Sequence, residues 1–291
     1  MNGVKVIFFL ILIFTFYEAY SQEGNETALV RIETNDGNEY TGKIVRQDSA
    51  RIFLATETLG EIAIRKSNIK SQEKLRIEQI KDGEIWFANP QATRYFWSPN
   101  GYGLNKGEGY YQNIWVMWNQ FAYGLTDNLS IGGAVVPLFL FGGAPTPVFG
   151  TAKISFPIEK EKINLAAGVI AGTVLGESET GFGILYGLST FGSRDNNLSF
   201  GLGYGFGGGE WASAPIINLN GMFRLAGRWY FLTENYYINI DEENFAMVSL
   251  GARWIIKKAA LDFGFVIPVA EDAGFIGIPW LGMTIPFGKT N

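Results

Sequence analysis

From Leu198 to Gly207 every second residue is glycine or serine, and the residues between them are Leu198, Phe200, Leu202, Tyr204 and Phe206. A strict two-residue period belongs to a strand whose two faces meet different surroundings. One face here is large and greasy, and the other is nearly bare. Segments with this alternation recur along the last two-thirds of the chain, each followed by a turn signal. A chain of this kind is expected to close into a barrel, and a greasy outer face suits a barrel that sits in lipid.

The N-terminus fits that setting. Residues 1–21 read as a secretory signal peptide: Lys5 gives the positive start, Val6 to Phe16 the apolar run, and Ala19-Tyr20-Ser21 the small-x-small cleavage site. The run is too short to cross a bilayer as a helix. The chain has no cysteine, which excludes disulfides and thiolate metal sites.

Charge divides the rest in two. Residues 22–82 carry 21 Asp, Glu, Lys or Arg in 61 positions, whereas residues 92–287 carry 26 in 196. The expected organisation is a signal peptide at 1–21, a small β domain at 22–80, a linker at 81–91 and a barrel at 92–291. In the first domain, alternating runs at 28–34, 39–47, 50–57 and 61–64 are separated by turns at 35–38, 48–49 and 59–60, and Ile69 closes the set. The pattern VRIETNDGNEYTGKIV…IFLATETLGEIAIRKSNI resembles the SH3-like and Sm-like small barrels. The resemblance implies five strongly bent strands. The RNA-binding residues of Sm proteins are not evident here.

In the second region, strands read over 112–124, 129–138, 147–157, 163–174, 181–191, 198–207, 215–226, 228–239, 245–256, 259–269 and 277–287. Their connections alternate. Those at 125–128, 159–162, 193–197, 227 and 257–258 are tight, and those at 139–146, 176–180, 208–214, 240–244 and 270–276 are more elaborate. Outer-membrane barrels have short periplasmic turns and longer external loops. The strand at 112–124 ends in a tight turn, so it descends, and an ascending strand must precede it. Residues 92–98 are assigned that role, with 99–112 as an external loop. The count becomes twelve, with both termini periplasmic.

The external loops so drawn hold Glu108, Glu177, Glu179, Glu210, Asp241, Glu242, Glu243, Glu271 and Asp272 against one base, Lys106. Alternation assigns a lipid-facing set that includes Leu165, Val169, Phe182, Ile184, Tyr186, Phe200, Leu202, Tyr204, Val248, Leu250, Trp254, Leu261, Phe263 and Phe265. Lys153, Arg224, Glu234, Arg253 and Asp262 are assigned to the lumen, because a bare Lys or Arg facing lipid at the midplane costs about 2–4 kcal/mol. These five either line a pore or form salt bridges that fill a closed barrel. Trp97, Trp115, Trp118, Trp229, Trp254 and Trp280 fall near strand ends and suggest aromatic girdles.

The chain has no histidine, which removes Ser-His-Asp hydrolases and His-ligated zinc. Gly203-x-Gly205-x-x-Gly208 matches the dinucleotide fingerprint by letter but lies in the alternating strand. The acidic groups Glu177/Glu179 and Asp241/Glu242/Glu243 read as solvated loop charges. A net charge of −5 offers no basic face for nucleic acid. No enzyme activity and no cofactor are expected.

Gly282, Ile285 and Phe287 resemble the C-terminal signal read by the barrel assembly machinery, although Trp280 stands where a polar residue is usual and four residues follow Phe287. The run ATRYFWSPNGYGLNKGEGYYQN resembles uncharacterised exported proteins of Bacteroidetes-type bacteria, which implies no activity. The whole resembles outer-membrane β-barrel proteins of Gram-negative bacteria. The expected architecture is all-β, an antiparallel transmembrane β-barrel of about twelve strands after a small SH3-like/Sm-like domain. Outer-membrane lipid and the assembly machinery are the expected partners, and the partner of residues 22–80 is open. The expected function is a passive small-solute channel or a plugged structural barrel. The alternative is a soluble exported lipocalin-like barrel with an apolar ligand inside.

Overall fold

The computed structural model describes residues 29–75, 80–81, 84–177, 181–240, 243–256, 258–269 and 277–289. The signal-peptide reading lies outside them, as do Glu179, Asp241, Glu242, Glu271 and Asp272. The chain forms two compact units, Met1–Glu78 and Gln79–Asn291.

In the first unit, β1 (Leu29–Thr34), β2 (Glu39–Gln47), β3 (Arg51–Thr56), β4 (Gly60–Arg65) and β5 (Ile69–Leu75) make one antiparallel sheet in the order β4-β3-β2-β1-β5. A 3-10 turn at Lys66–Asn68 separates β4 from β5. The alternation of β1 buries Val30 and Ile32 against Ile52, Leu54 and Ile64. The register of β2 slips between Ile44 and Arg46, which leaves Val45 as the extra, exposed residue of a bulge and bends the strand. The β2–β3 turn is held by Asp48, whose carboxylate accepts the backbone N–H groups of Ala50 at 2.8 Å and Arg51 at 2.6 Å. Those bonds, that of Ala50 foremost, hold the carboxyl below its usual value.

The second unit begins with the paired two-residue strands β6 (Ile80–Lys81) and β7 (Glu84–Ile85). Its wall follows as β8 (Glu108–Ile114), β9 (Trp118–Gly124), β10 (Leu129–Val135), β11 (Thr146–Glu159), β12 (Ile163–Leu175), β13 (Phe182–Gly192) and β14 (Asn196–Gly207). It continues through β16 (Ile216–Ala226), β17 (Trp229–Ile240), β18 (Glu243–Ile256), β19 (Ala259–Val269) and β20 (Ile278–Gly288). Each strand pairs antiparallel with the next, and β20 returns to β8, so twelve strands close a barrel. The two-residue β15 (Glu210–Trp211) folds back on the end of β14, and a short helix α1 (Pro137–Gly142) lies in the β10–β11 connection. At the seam, Gly109 is bare because Phe287 lies over it. A Cβ there would come within 2.3 Å of that ring.

The twelve strands are reached by a different route from the expected one. Residues 92–98 are not a wall strand and 99–112 are not an external loop. The missing ascending strand is β8, because the run 112–124 breaks at Trp115–Met117 into the hairpin β8–β9. Trp115 and Val116 have φ of 51° and 65°, so this turn is made by residues that seldom adopt it and carries no glycine or proline mark. Glu108 and Lys106 consequently sit at the end of the barrel that carries the tight turns. The 240–244 connection is also tighter than expected, since β17 runs to Ile240 and β18 starts at Glu243.

Faces follow the pleat. Leu198, Phe200, Leu202 and Tyr204 point out of the barrel and are exposed, while Asn197, Ser199, Gly201 and Gly203 point in. Phe121, Ile154, Leu165, Leu219, Leu250, Phe263, Leu281 and Ile285 continue the exposed apolar surface around the wall. Strand β13 departs from its expected faces. Ile184 and Tyr186 point inward with the buried Leu188 and Thr190, and Leu185 and Phe191 point out. Tyr186 lies opposite Gly168 of β12, where a Cβ would meet its hydroxyl at 2.4 Å, so the missing side chain across the ladder admits the ring. Phe182, paired with Gly172, shares the inward register. The tryptophans do not form two girdles. Trp229 and Trp254 stack on the outer face at 5.6 Å, whereas Trp118 and Trp280 line the interior.

Residues 22–78 are expected to fold alone, read by a dispersed amide NMR spectrum. Leu54→Ala should remove about 2–5 kcal/mol, enough to unfold most of a domain this small. Asp48→Ala should lower the fragment's urea midpoint at pH 7. Because folding depresses the Asp48 pKa, its contribution is present above the unfolded value of about 3.9 and is lost as pH falls through the folded value. The two midpoints should therefore converge in acid.

Candidate functional site: an inserted hairpin and the cavity above it

Residues 86–107 lie inside the barrel. The segment starts at the tight-turn end, where the Phe87 N–H donates to Gly227 O at 3.2 Å, and returns there, where the Gly107 N–H donates to Gly124 O at 2.9 Å. Between these points it folds into a narrow hairpin. An isolated bridge pairs Arg94 with Pro99, and the Tyr95 N–H closes the tip on Ser98 O at 2.9 Å. The expected linker at 81–91 is thus partly built into the barrel, with Phe87 and Gln91 buried.

A polar chain inside a barrel must satisfy its own backbone groups. No neighbouring strand is available, so wall side chains do it. Arg253 of β18 is fully buried; its Nη1 donates to Gln91 O at 2.6 Å and its Nη2 to Tyr95 O at 2.7 Å. Asp262 of β19 accepts from Arg253 Nε at 2.7 Å and Nη2 at 2.9 Å, a two-point pairing that fixes the guanidinium plane. Glu234 of β17 accepts the Trp97 and Ser98 N–H groups, both at 2.9 Å, and the Tyr236 hydroxyl at 2.9 Å. Lys153 of β11 donates to Tyr102 O at 2.7 Å, Asn100 O at 3.2 Å and Thr93 O at 3.5 Å. Arg224 of β16 donates to Phe87 O at 2.7 Å and pairs with Asp195 at 2.7 Å.

All five charged residues picked from the sequence therefore point into the lumen. Only Arg253 and Asp262 pair with each other; the other three hold the hairpin or a turn. Uncharged groups complete the grip. The Tyr95 hydroxyl sits 2.6 Å from Asn197 Oδ1 and 2.7 Å from Ser199 Oγ, the Gly101 N–H donates to Thr190 at 2.7 Å, and Gln112 donates to Phe96 O at 3.0 Å. These were missed as site residues, because an inward Ser, Thr or Asn looks like any other small polar position until the segment it meets is known. Glu177 is exposed in the β12–β13 connection, and Glu243 opens β18.

Above the hairpin tip is a cavity of 620 Å³. Phe96 and Trp97 of the tip contribute to its floor, and it reaches Trp115, Met117 and Phe139 at the long-connection end. Its walls are mainly apolar, with Trp118 against Phe149 at 5.1 Å and Trp280 against Phe96 at 5.5 Å. Among its lining residues only Arg94, Lys153 and Glu234 are charged. Groups of Asp and Glu able to hold a metal do not occur among the described residues.

No protein-family model matches the chain, and no curated protein does. Among solved structures, the CymD monoaromatic hydrocarbon channel aligns over 65% of this chain and 89% of its own length, with 8% identity and a TM-score of 0.35. At that distance nothing passes from one chain to the other.

Removing one member of the buried pair strands the other. Asp262→Ala should cost about 3–5 kcal/mol, read as the urea midpoint of the refolded barrel in lipid vesicles. The double change Arg253→Met with Asp262→Leu should recover part of that loss and not all of it, because the carbonyls of Gln91 and Tyr95 remain without their donor. Full recovery would mean that Arg253 does not anchor the hairpin.

Proposed function

We propose that this chain is a passive outer-membrane channel for small solutes with apolar bodies, closed at rest by the hairpin of residues 86–107. The observation that carries the reading is the 620 Å³ apolar cavity inside the wall, floored by a hairpin that the wall holds through hydrogen bonds. Its volume falls within the range of about 300–1,000 Å³ usual for small-molecule sites. The exposed apolar surface of the strands supports placement in a bilayer. A lipocalin would carry polar groups on that face, so the same observation speaks against the soluble alternative. The turns after β9, β11, β13, β16 and β18, both ends of the hairpin and the end of β20 share one side of the barrel, which supports a periplasmic position for them. The sheet order β4-β3-β2-β1-β5 with a 3-10 turn before the last strand supports the SH3-like reading of residues 29–75.

Transport requires the hairpin to move or bend aside. The chain has no cysteine, so an introduced pair is unambiguous. Ser98 Oγ and Asn220 Nδ2 lie 3.0 Å apart, so thiols at Ser98→Cys and Asn220→Cys can be joined by a short, reducible bis-methanethiosulfonate cross-linker. In proteoliposomes, the cross-linked double variant should lose solute entry and recover it on reduction. Equal entry in both states would remove the hairpin as the gate.

The long connections carry Glu177, Glu179, Glu210, Asp241, Glu242, Glu271 and Asp272 and no Lys or Arg. Any ion current through an opened barrel should therefore prefer cations, since a charged mouth concentrates counter-ions. The reversal potential under a KCl gradient in planar bilayers reports it. The preference should fade near 1 M salt, where screening shortens to about 3 Å.

A further inference from the structure

The cavity is not uniformly greasy. Five buried side-chain polar atoms without a hydrogen-bond partner among the described residues belong to residues that line this one cavity: Arg94 Nε, Trp118 Nε1, Trp280 Nε1, Ser130 Oγ and Asn218 Oδ1. Buried polar groups are ordinarily satisfied, so their concentration here marks a surface shaped for a ligand with a polar end. Three of the five are N–H donors, and such donors call for an acceptor.

The charges agree. Glu234 accepts two backbone N–H groups and the Tyr236 hydroxyl and lies beyond ion-pair distance of Arg94. Lys153 spends its donors on three carbonyls of the hairpin. Arg94 is different. Its guanidinium makes one hydrogen bond, from Nη1 to Trp97 O at 2.7 Å, and sits 5.6 Å from the centre of the Tyr110 ring. Among the described residues neither Arg94 nor Lys153 has a carboxylate within ion-pair distance. Two cations therefore share the cavity lining with one carboxylate. The Nε–Nη2 edge of Arg94 is left without a protein acceptor, and that edge has the two parallel N–H groups that fit a carboxylate.

We propose that the cavity binds an amphipathic anion, an apolar body ending in one carboxylate, with the carboxylate seated on the Nε–Nη2 edge of Arg94. This rests on the reading of the cavity as a solute site and narrows the solute. The bond from Arg94 to Trp97 O ties the seat to the hairpin tip, so the group that recognises the anion also belongs to the segment that closes the barrel. The acidic connections at the mouth act on the rate of arrival more than on affinity. Glu177 and Glu210 are exposed, where 0.15 M salt screens beyond about 8 Å, while Arg94 acts inside an apolar cavity.

The test compares three ligands of one shape with the full-length chain in lipid nanodiscs, by calorimetry: 4-phenylbutyrate, its methyl ester and butylbenzene. Wild type should bind the acid at least tenfold more tightly than either neutral compound. Arg94→Gln should reduce that preference to threefold or less while leaving butylbenzene affinity in place, which also shows that the variant still forms the cavity. Equal binding of the acid and its ester by wild type would overturn the proposal and leave the apolar site standing. A preference for the acid that survives in Arg94→Gln would overturn the assignment to Arg94. If none of the three binds, the solute-site reading itself fails.

Discussion

A fully buried guanidinium organises the interior of this barrel. Arg253 cannot stand in the lumen as a bare charge, and it is met on one side by Asp262 and on the other by backbone carbonyls of the inserted hairpin. The wall and the hairpin thus share a single electrostatic problem. The hairpin has no ladder partner for its carbonyls, and the wall has a charge that needs acceptors. Glu234 solves the complementary problem by taking two N–H groups from the tip. Donors and acceptors are exchanged across the lumen, and the cavity occupies the space that this exchange leaves apolar.

The exchange needs room, and the pleat supplies it. Inward positions of β14 are Asn197, Ser199, Gly201 and Gly203, while their outward neighbours are Leu198, Phe200, Leu202 and Tyr204. Bulk is thereby moved to the outer face, where it makes an apolar surface, and kept off the inner face, where the inserted hairpin must pass. Tyr186 is an exception, accommodated because Gly168 stands opposite it.

The barrel was legible because alternation is a property of each strand alone. Connection lengths then gave the number of strands. The turn at Trp115 and Val116 was not legible, since two bulky residues in left-handed conformation leave no mark in the letters. That hid β8 and forced its role onto residues 92–98, whose aromatic content mimics a strand. The inward direction of Lys153, Arg224, Glu234, Arg253 and Asp262 followed from the cost of charge in lipid. What they hold did not, because a segment without periodicity gives no sign of where its carbonyls will point. The faces of β13 failed for a related reason: large residues occur on both, and only the neighbouring strand decides which ring has space.

The hairpin lies immediately before β8, yet its charged anchors come from β11 to β19. The bond from Arg253 to Tyr95 spans 158 residues and that from Glu234 to Trp97 spans 137. Contacts this remote form late in folding, after the entropy of closing long loops has been met. Glu234 and Arg253 sit on β17 and β18, late in the chain, and the seam between β8 and β20 completes the wall. A barrel closed around a badly seated hairpin would trap Arg253 and Glu234 with groups missing on both sides. Closure and seating are therefore coupled into one cooperative step, and a chain with a misplaced hairpin is at a disadvantage before its wall is complete.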